Sequence, residues 1–180
     1  MTFQTGPRAR NRVRRRLKED IVSDKTYIPE GEQVPASQIG ATLESLAGTI
    51  AARRGAGEES YTFRLLTGKA DEPLKKVCEE ANEVGLAAKD VEAANMMLAA
   101  VSGHEATHSG MAEAFAKQAD AACDHLRYEA ADVVYHLLVV LERYGIGIDE
   151  FAAELNNRMT DEERPEGAVR LHAEHVKRGK

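Results

Sequence analysis

The chain has 180 residues, of which 43% are hydrophobic and 5% aromatic, and its formal net charge is -6. This length suits one compact domain with extensions, and a chain poor in aromatic residues but rich in alanine favours packed helices over a sheet. We therefore predict an all-α protein. The acidic balance argues against a general nucleic-acid binder, and no apolar run is long enough to cross a bilayer.

Residues 1–38 are predicted to form a basic, flexible extension. The first 18 residues contain six arginines and one lysine but no acid, and Pro29, Gly31 and Pro35 disfavour regular structure further on. Few apolar residues there can offset the entropy lost on ordering. An arginine-rich arm that contacts RNA or another acidic partner remains an alternative.

Helical periodicity begins after this extension, and we assign residues 39–159 to the folded domain and residues 160–180 to a polar tail. Glycines and prolines mark the boundaries between helices, and Asp149 is predicted to cap the last one. The predicted helices span residues 39–54, 60–66, 71–101, 111–144 and 150–159.

The two long helices are predicted to form an antiparallel hairpin whose turn centres on Ala106 and whose outer part, about residues 91–124, is an extension. The first of them has an apolar stripe that we expect to face the core, formed by Leu74, Val77, Cys78, Ala81, Val84 and Ala88.

Two acidic clusters lie on these helices. Glu80 with Glu83, and Glu129 with Asp132, each place two carboxylates on one helix face, where like charges repel. Because Glu83 and Glu129 are each 23 residues from Ala106, and Glu80 and Asp132 each 26, equal helical rise brings all four acids to one level. Oxygen ligands of this kind suit Mg²⁺, or Mn²⁺, and metal-assisted phosphate chemistry.

The second cluster is the more informative, since it adjoins a helix segment, residues 133–141, that is apolar nearly all round and is therefore expected to be buried. His136 and also His125 can line the same site, although a hydrogen-bonded histidine without a functional role is at least as common. Lys75, Lys76 and Arg64 are candidate phosphate contacts; charge balance with nearby acids is the alternative.

His104-Glu105-Ala106-Thr107-His108 matches the H-E-x-x-H pattern of zinc proteases. That motif needs a continuous helix and a third ligand, whereas here it falls between Ser and Gly residues at the predicted hairpin tip. We therefore reject a protease function. Cys78 and Cys123, without zinc spacing or a secretory segment, indicate a reduced, cytoplasmic protein.

Three segments, residues 60–66, 75–84 and 129–139, together resemble phosphoribosyl-ATP pyrophosphohydrolase of histidine biosynthesis, a family of the all-α, MazG-like nucleotide pyrophosphohydrolases. The resemblance implies hydrolysis of phosphoribosyl-ATP to phosphoribosyl-AMP and pyrophosphate by a Mg²⁺-dependent homodimer whose helical bundle is completed across the interface. Glu80, Glu83, Glu129 and Asp132 would then be metal ligands. Glu79 would be a fifth ligand or orient the attacking water, and Lys76, with Lys75, Arg64 and His136, would contact substrate.

Two features depart from the family pattern: the spacer between Glu83 and Glu129 is long, and Cys78 stands where glycine is frequent. Two other functions stay open at this point. One is a house-cleaning pyrophosphohydrolase of nucleoside triphosphates with the same acidic site, and the other is a non-catalytic protein that binds RNA or a partner through its arginine-rich arm.

Overall fold

The computed structural model describes residues 25–102 and 109–176, and over these residues it is helical with no β-strand, as predicted. We label the five α-helices of this part of the chain α1 to α5. They are α1 (Gln38–Ala52), α2 (Tyr61–Thr67), α3 (Asp71–Ser102), α4 (Ser109–Arg143) and α5 (Ile148–Asn156), with short 3₁₀ turns at Arg53–Gly55 and Ala173–His175. None of these helices has both the length and the apolar character needed to span a membrane.

The chain divides into two units, residues 1–39 and 40–180. In the described part of the first unit, residues 25–37 form neither helix nor strand and are exposed. A turn there is closed by the Glu32 N–H, which donates to the Pro29 carbonyl at 3.2 Å, and Gly31 supplies its positive φ of 87°. The arginine-rich start and the His104–His108 motif lie outside the described residues.

Helices α3 and α4 pack against each other along a seam. Because only residues 103–108 connect them, they run antiparallel, and the midpoint between Ser102 and Ser109 agrees with the predicted centre at Ala106. Buried or half-buried positions alternate by three and four along both helices, which is the spacing of coiled-coil packing. These positions are 73, 77, 80, 84, 87, 91, 94, 98 and 101 in α3, and 115, 119, 122, 126, 129, 133, 136 and 140 in α4.

The buried face of α3 differs from the predicted stripe. Leu74 is 42% exposed, and Cys78 and Ala81 are exposed as well, whereas Pro73, Glu80 and Ala87 are buried. The apolar pattern misled the prediction because the true seam contains an acid. The exposed residues form a second apolar stripe on another side of the helix.

The hydrophobic core lies at the base of the hairpin, where α1 and α2 meet the end of α4. Its fully buried members are Ile50, Leu65, Leu66, Leu138 and Val139. The Arg143 guanidinium fixes α2 by donating to the Leu65 and Gly68 carbonyls at 2.7 and 2.8 Å. This core holds the second half of α4 in place, and with it the acids of that helix.

Local signals set most of the helix ends. The Ser60 hydroxyl caps α2 by accepting from the Phe63 N–H at 3.3 Å, and Gly68 ends that helix, as predicted. The predicted cap of α5 is wrong, because Gly147 is the N-cap and Asp149 lies inside the first turn. There the negative charge of Asp149 interacts favourably with the helix dipole. Part of the polar tail, residues 160–176, folds back on α5, and the Asn156 amide donates to the Val169 carbonyl at 2.9 Å.

Candidate active site

Three carboxylates converge across the α3–α4 seam. Glu80 of α3 and Glu129 and Asp132 of α4 each offer an oxygen, and these three atoms all lie within 4.8 Å of one another. Glu80 and Glu129 are only 5% and 7% exposed. Two buried glutamates in contact with a third acid repel one another strongly unless cations lie nearby.

Lys76 is the positively charged side chain that compensates Glu80. Its ammonium lies 3.0 Å from Glu80 Oε1 and 3.2 Å from Glu79 Oε2, while the more exposed Lys75 lies 3.2 Å from Glu79 Oε1. Hydrogen bonds with Glu80 and then Glu79 raise the pKa of Lys76. The same bonds from Lys76 lower the pKa of both glutamates, so all three groups are charged at neutral pH.

Glu83 borders the three-carboxylate group without being a member of it. A hydrogen bond with Glu80 is the largest cause that raises the pKa of Glu83, followed by burial and by the charges of Glu80 and Glu129. Counting residues from Ala106 placed Glu80 level with Asp132 alone, whereas in the structure Glu80 lies near both Glu129 and Asp132. The four predicted acids are thus neighbours, with Glu83 at the edge.

His136 is buried next to Glu80, at 5% exposure. Its Nε2 is 3.5 Å from Glu80 Oε1, and its ring packs edge-on against Tyr135 and Tyr61, with centroids 5.0 and 6.1 Å away. Its Nδ1 is buried and has no hydrogen-bond partner in the described structure. Burial, partly opposed by the charge of Glu80, lowers the pKa of His136, which favours the neutral ring.

His125 is the partner of the second buried glutamate, because its Nε2 is 2.9 Å from Glu129 Oε1 while its ring stays exposed. Asp132 differs from both glutamates. Among the described residues, no basic nitrogen lies within 4 Å of its carboxylate, although the charge of Asp132 does act on His136. Asp132 is therefore the least compensated of the three acids.

Arg64, predicted as a phosphate contact, is held at the side of the site by α2. Its guanidinium donates to the Glu58 and Glu59 carbonyls at 2.8 and 3.4 Å and lies 5.9 Å from the centre of the Tyr61 ring. It makes no ion pair with the acids in the described part of the chain. Through Tyr61, which is near Lys76 and Glu80, it still borders the same region.

Two tyrosines of the site were not singled out from the sequence. The Tyr135 hydroxyl is 2.7 Å from the Thr62 hydroxyl, which joins α4 to α2, and burial is the main cause that raises the pKa of Tyr61. No spacing or charge pattern marks these two positions in the sequence. Their role is visible only once α2 packs against α4.

The donor set consists of oxygens from carboxylates on two rigid helices. Such a set fits a hard divalent cation, because Mg²⁺ and Mn²⁺ prefer oxygen ligands and bind through a few carboxylates while they retain water. Cys78 and Cys123 are free thiols and not part of the group. The arrangement is thus compatible with a divalent metal beside a basic pair, Lys75 and Lys76, that can meet phosphate.

Comparison with known proteins points to one family. The family model described as phosphoribosyl-ATP pyrophosphohydrolase matches residues 43–159, a range that includes all the carboxylates above. A phosphoribosyl-ATP pyrophosphatase of Methylobacterium nodulans is 38% identical over 130 residues, which are 72% of this chain and 94% of that protein. One from Limosilactobacillus fermentum is 37% identical over 129 residues, 69% of this chain and 93% of its own. No solved structure gives a significant match.

Proposed function

Since the chain belongs to the phosphoribosyl-ATP pyrophosphohydrolase family, we propose that it hydrolyses the α–β phosphoanhydride of phosphoribosyl-ATP in histidine biosynthesis, releasing phosphoribosyl-AMP and pyrophosphate. The observation that carries this proposal is the group of Glu80, Glu129 and Asp132, whose oxygens lie within 4.8 Å of one another across two helices. An enzyme that cleaves a polyphosphate must counter concentrated negative charge, and a divalent cation held by such a group does so.

Mg²⁺ is the proposed cation, with Glu80, Glu129 and Asp132 as its ligands and Glu83 as a fourth at the edge. When bound, it would neutralise phosphate charge and stabilise the leaving pyrophosphate. The protein supplies preorganisation: α3 and α4 fix the carboxylates before any ligand arrives, and the buried His136 ring lies beside Glu80, with its Nε2 3.5 Å from Glu80 Oε1. Only small adjustments are then needed on binding.

Glu79 is proposed to orient the attacking water. It is not part of the three-carboxylate group, and its lowered pKa keeps it ionised, so it can accept a hydrogen bond from water without being protonated. Lys76 bridges Glu79 and Glu80 and is placed to move its ammonium towards a phosphate oxygen once Glu80 has another positive partner. Lys75 and Arg64, at the same end of the site, would attract the triphosphate before it is bound.

A homodimer is proposed from the second apolar stripe of α3. This stripe consists of four exposed residues that recur every three or four positions: Leu74, Cys78, Ala81 and Gly85. One face of α3 outside the seam therefore lacks a partner within the described chain. Gly85→Arg should yield a monomer in sedimentation experiments, since a Cβ at Gly85 meets nothing within 4 Å in the folded chain and the arginine obstructs only a second copy. Gly48→Arg, on an equally open helical glycine of α1, is the matched control. A wild-type chain that sediments as a monomer at micromolar concentration contradicts the dimer.

The activity is tested by measuring pyrophosphate release from phosphoribosyl-ATP and from a panel of canonical and noncanonical nucleoside triphosphates, each with and without Mg²⁺. We expect phosphoribosyl-ATP to be preferred and chelation to stop turnover. Glu80→Gln should abolish turnover at saturating Mg²⁺, whereas Glu92→Gln, which changes an exposed glutamate of the same helix that pairs with Lys89, should not. Preference for a nucleoside triphosphate would favour the house-cleaning activity, and near-normal turnover of Glu80→Gln would refute the ligand assignment.

A further inference from the structure

The two buried glutamates of the site have different partners. Glu80 lies 3.0 Å from the Lys76 ammonium. Glu129 is 7% exposed, and the one basic side chain within 4 Å of its carboxylate in the described part of the chain is His125. A buried carboxylate costs free energy unless a polar group contacts it, so His125 is the side chain that offsets this cost at Glu129.

The distance of this contact fixes which ring nitrogen of His125 carries a proton. Nε2 lies 2.9 Å from Glu129 Oε1. At that separation two lone pairs would repel each other, whereas an N–H attracts a carboxylate oxygen. Nε2 is therefore protonated and faces Oε1. Since a carboxylate has two oxygens with about four acceptor positions, the contact leaves positions on Glu129 for a metal.

His125 reaches Glu129 from outside the three-carboxylate group. It lies one helical turn before Glu129 on α4, towards the hairpin tip, and its side chain is 56% exposed. Among the described residues, the atoms that converge within 4.8 Å of one another are carboxylate oxygens and include no nitrogen of His125. Side chains of an α-helix tilt towards its N-terminus, which for α4 is the tip, so Glu129 leans towards His125. The ring can thus hold Glu129 without occupying the metal position.

Building on the proposed function, we propose that His125 is a positioning residue that holds the Glu129 carboxylate in the orientation needed to bind Mg²⁺. It touches neither the metal nor the substrate and acts only through Glu129. Carboxylates that bind metals depend on such polar partners, and the loss of one weakens metal binding about 10–100-fold. Because the His125 ring is exposed, water can partly replace its contact, so we expect the lower end of this range, about tenfold.

His125→Leu and His125→Gln test this role by calorimetric titration with Mg²⁺ in the absence of substrate. Leucine removes the donor, whereas the amide of glutamine can donate to a carboxylate one helical turn away. The dissociation constant of Mg²⁺ should rise about tenfold in His125→Leu and stay near the wild-type value in His125→Gln. His172→Leu, the same change at an exposed histidine of the tail, should match the wild type.

The turnover of phosphoribosyl-ATP provides a second measurement on the same proteins. In His125→Leu the Mg²⁺ concentration that gives half-maximal rate should rise about tenfold, because the metal is bound more weakly. The kcat at saturating Mg²⁺ should stay as in the wild type, because His125 touches no reacting group.

An unchanged dissociation constant of Mg²⁺ in His125→Leu overturns the positioning role. A raised constant that His125→Gln does not restore, combined with a lower Tm of both variants in EDTA, assigns His125 to the stability of α4 and likewise overturns it. Either result leaves the proposed function standing if the wild type hydrolyses phosphoribosyl-ATP. A wild type that binds Mg²⁺ but does not hydrolyse this substrate refutes the proposed function, and the calorimetry still decides the role of His125. A wild type that binds no Mg²⁺ overturns the metal assignment on which both proposals rest.

Discussion

Asp132→Asn should make the metal-free protein more stable while it weakens metal binding. Asp132 is half-buried, within 4.8 Å of oxygens of Glu80 and Glu129, and no described basic nitrogen lies within 4 Å of it. At that separation a pair of like charges repels by about 3 kcal/mol at an effective dielectric constant of 20. The amide keeps the shape of the side chain and removes this repulsion.

The net gain is smaller than the pair energy. Lys76 partly compensates Glu80, the His125 ring contacts Glu129, and solvent screens the half-exposed Asp132. We therefore expect the free energy of unfolding to rise by about 1 kcal/mol, which for a chain of this size raises Tm by about 2–4 °C. Thermal unfolding in EDTA measures this change.

Mg²⁺ should make the wild type more stable than Asp132→Asn, which reverses their order in EDTA. A ligand at 100 times its dissociation constant stabilises the folded state by about 2.7 kcal/mol, so the wild type should gain several degrees in Tm on Mg²⁺ titration and Asp132→Asn much less. Glu113→Gln, an exposed acid of α4 paired with Lys117, should keep the full Mg²⁺ response. An Asp132→Asn protein that is destabilised in EDTA and keeps the wild-type Mg²⁺ response would refute both the repulsion and the ligand assignment.

Three further changes test the structure. Burial lowers the pKa of His136 from its ordinary 6.5, so the unfolded chain takes up a proton at higher pH than the folded chain. The contribution of His136 to stability is therefore present above pH 6.5 and is lost as the pH falls through the pKa of the folded state. The free energy of unfolding, measured with denaturant from about pH 7 to pH 5, should show a decline that His136→Asn lacks. Ile50→Ala, at a position that is 1% exposed in the core, should cost about 2–5 kcal/mol in the same assay, and a loss below 1 kcal/mol would contradict the core described. Gly68→Ala should destabilise the fold because its Cβ would lie 2.6 Å from the Arg64 carbonyl oxygen, whereas Gly48→Ala, which meets nothing within 4 Å, should stabilise α1 by about 0.5–1 kcal/mol; equal effects of the two alanines on Tm would contradict this difference.

The helices were predictable because strong local signals mark their ends. Ser60 and Gly68 bound α2, and the acids with Pro73 start α3, so these limits agree with the structure to within one or two residues. Asp149 misled the prediction since an acid suits both a cap and a first turn, and only the backbone of Gly147 decides between them. Local chemistry alone does not separate these two positions.

Only part of the candidate site was predictable, because Glu83 lies outside the three-carboxylate group and Tyr61 and Tyr135 were missed. Glu80, Glu129 and Asp132 followed from like-charge spacing and from the count to the hairpin centre. The seam of α3 was misplaced because hydrophobic periodicity takes Glu80 to be a surface residue, whereas it is buried. The contact of His136 with Glu80 depends on how the two helices are rotated about their axes, and one sequence does not specify that rotation.

The position of the true seam explains how the acids stay together despite their mutual repulsion. Ala87 and Ala94 continue the seam beyond Glu80, and such small side chains let two helix backbones approach closely. On the other side, Leu138 and Val139 anchor α4 in the core formed with Ile50, Leu65 and Leu66. The carboxylates are thus fixed from both directions by apolar contacts that do not involve them, so the folding energy of the core and seam offsets the repulsion at the site. At the proposed metal site a divalent cation would therefore find its ligands already in place, and its binding energy would not be used to bring the helices together.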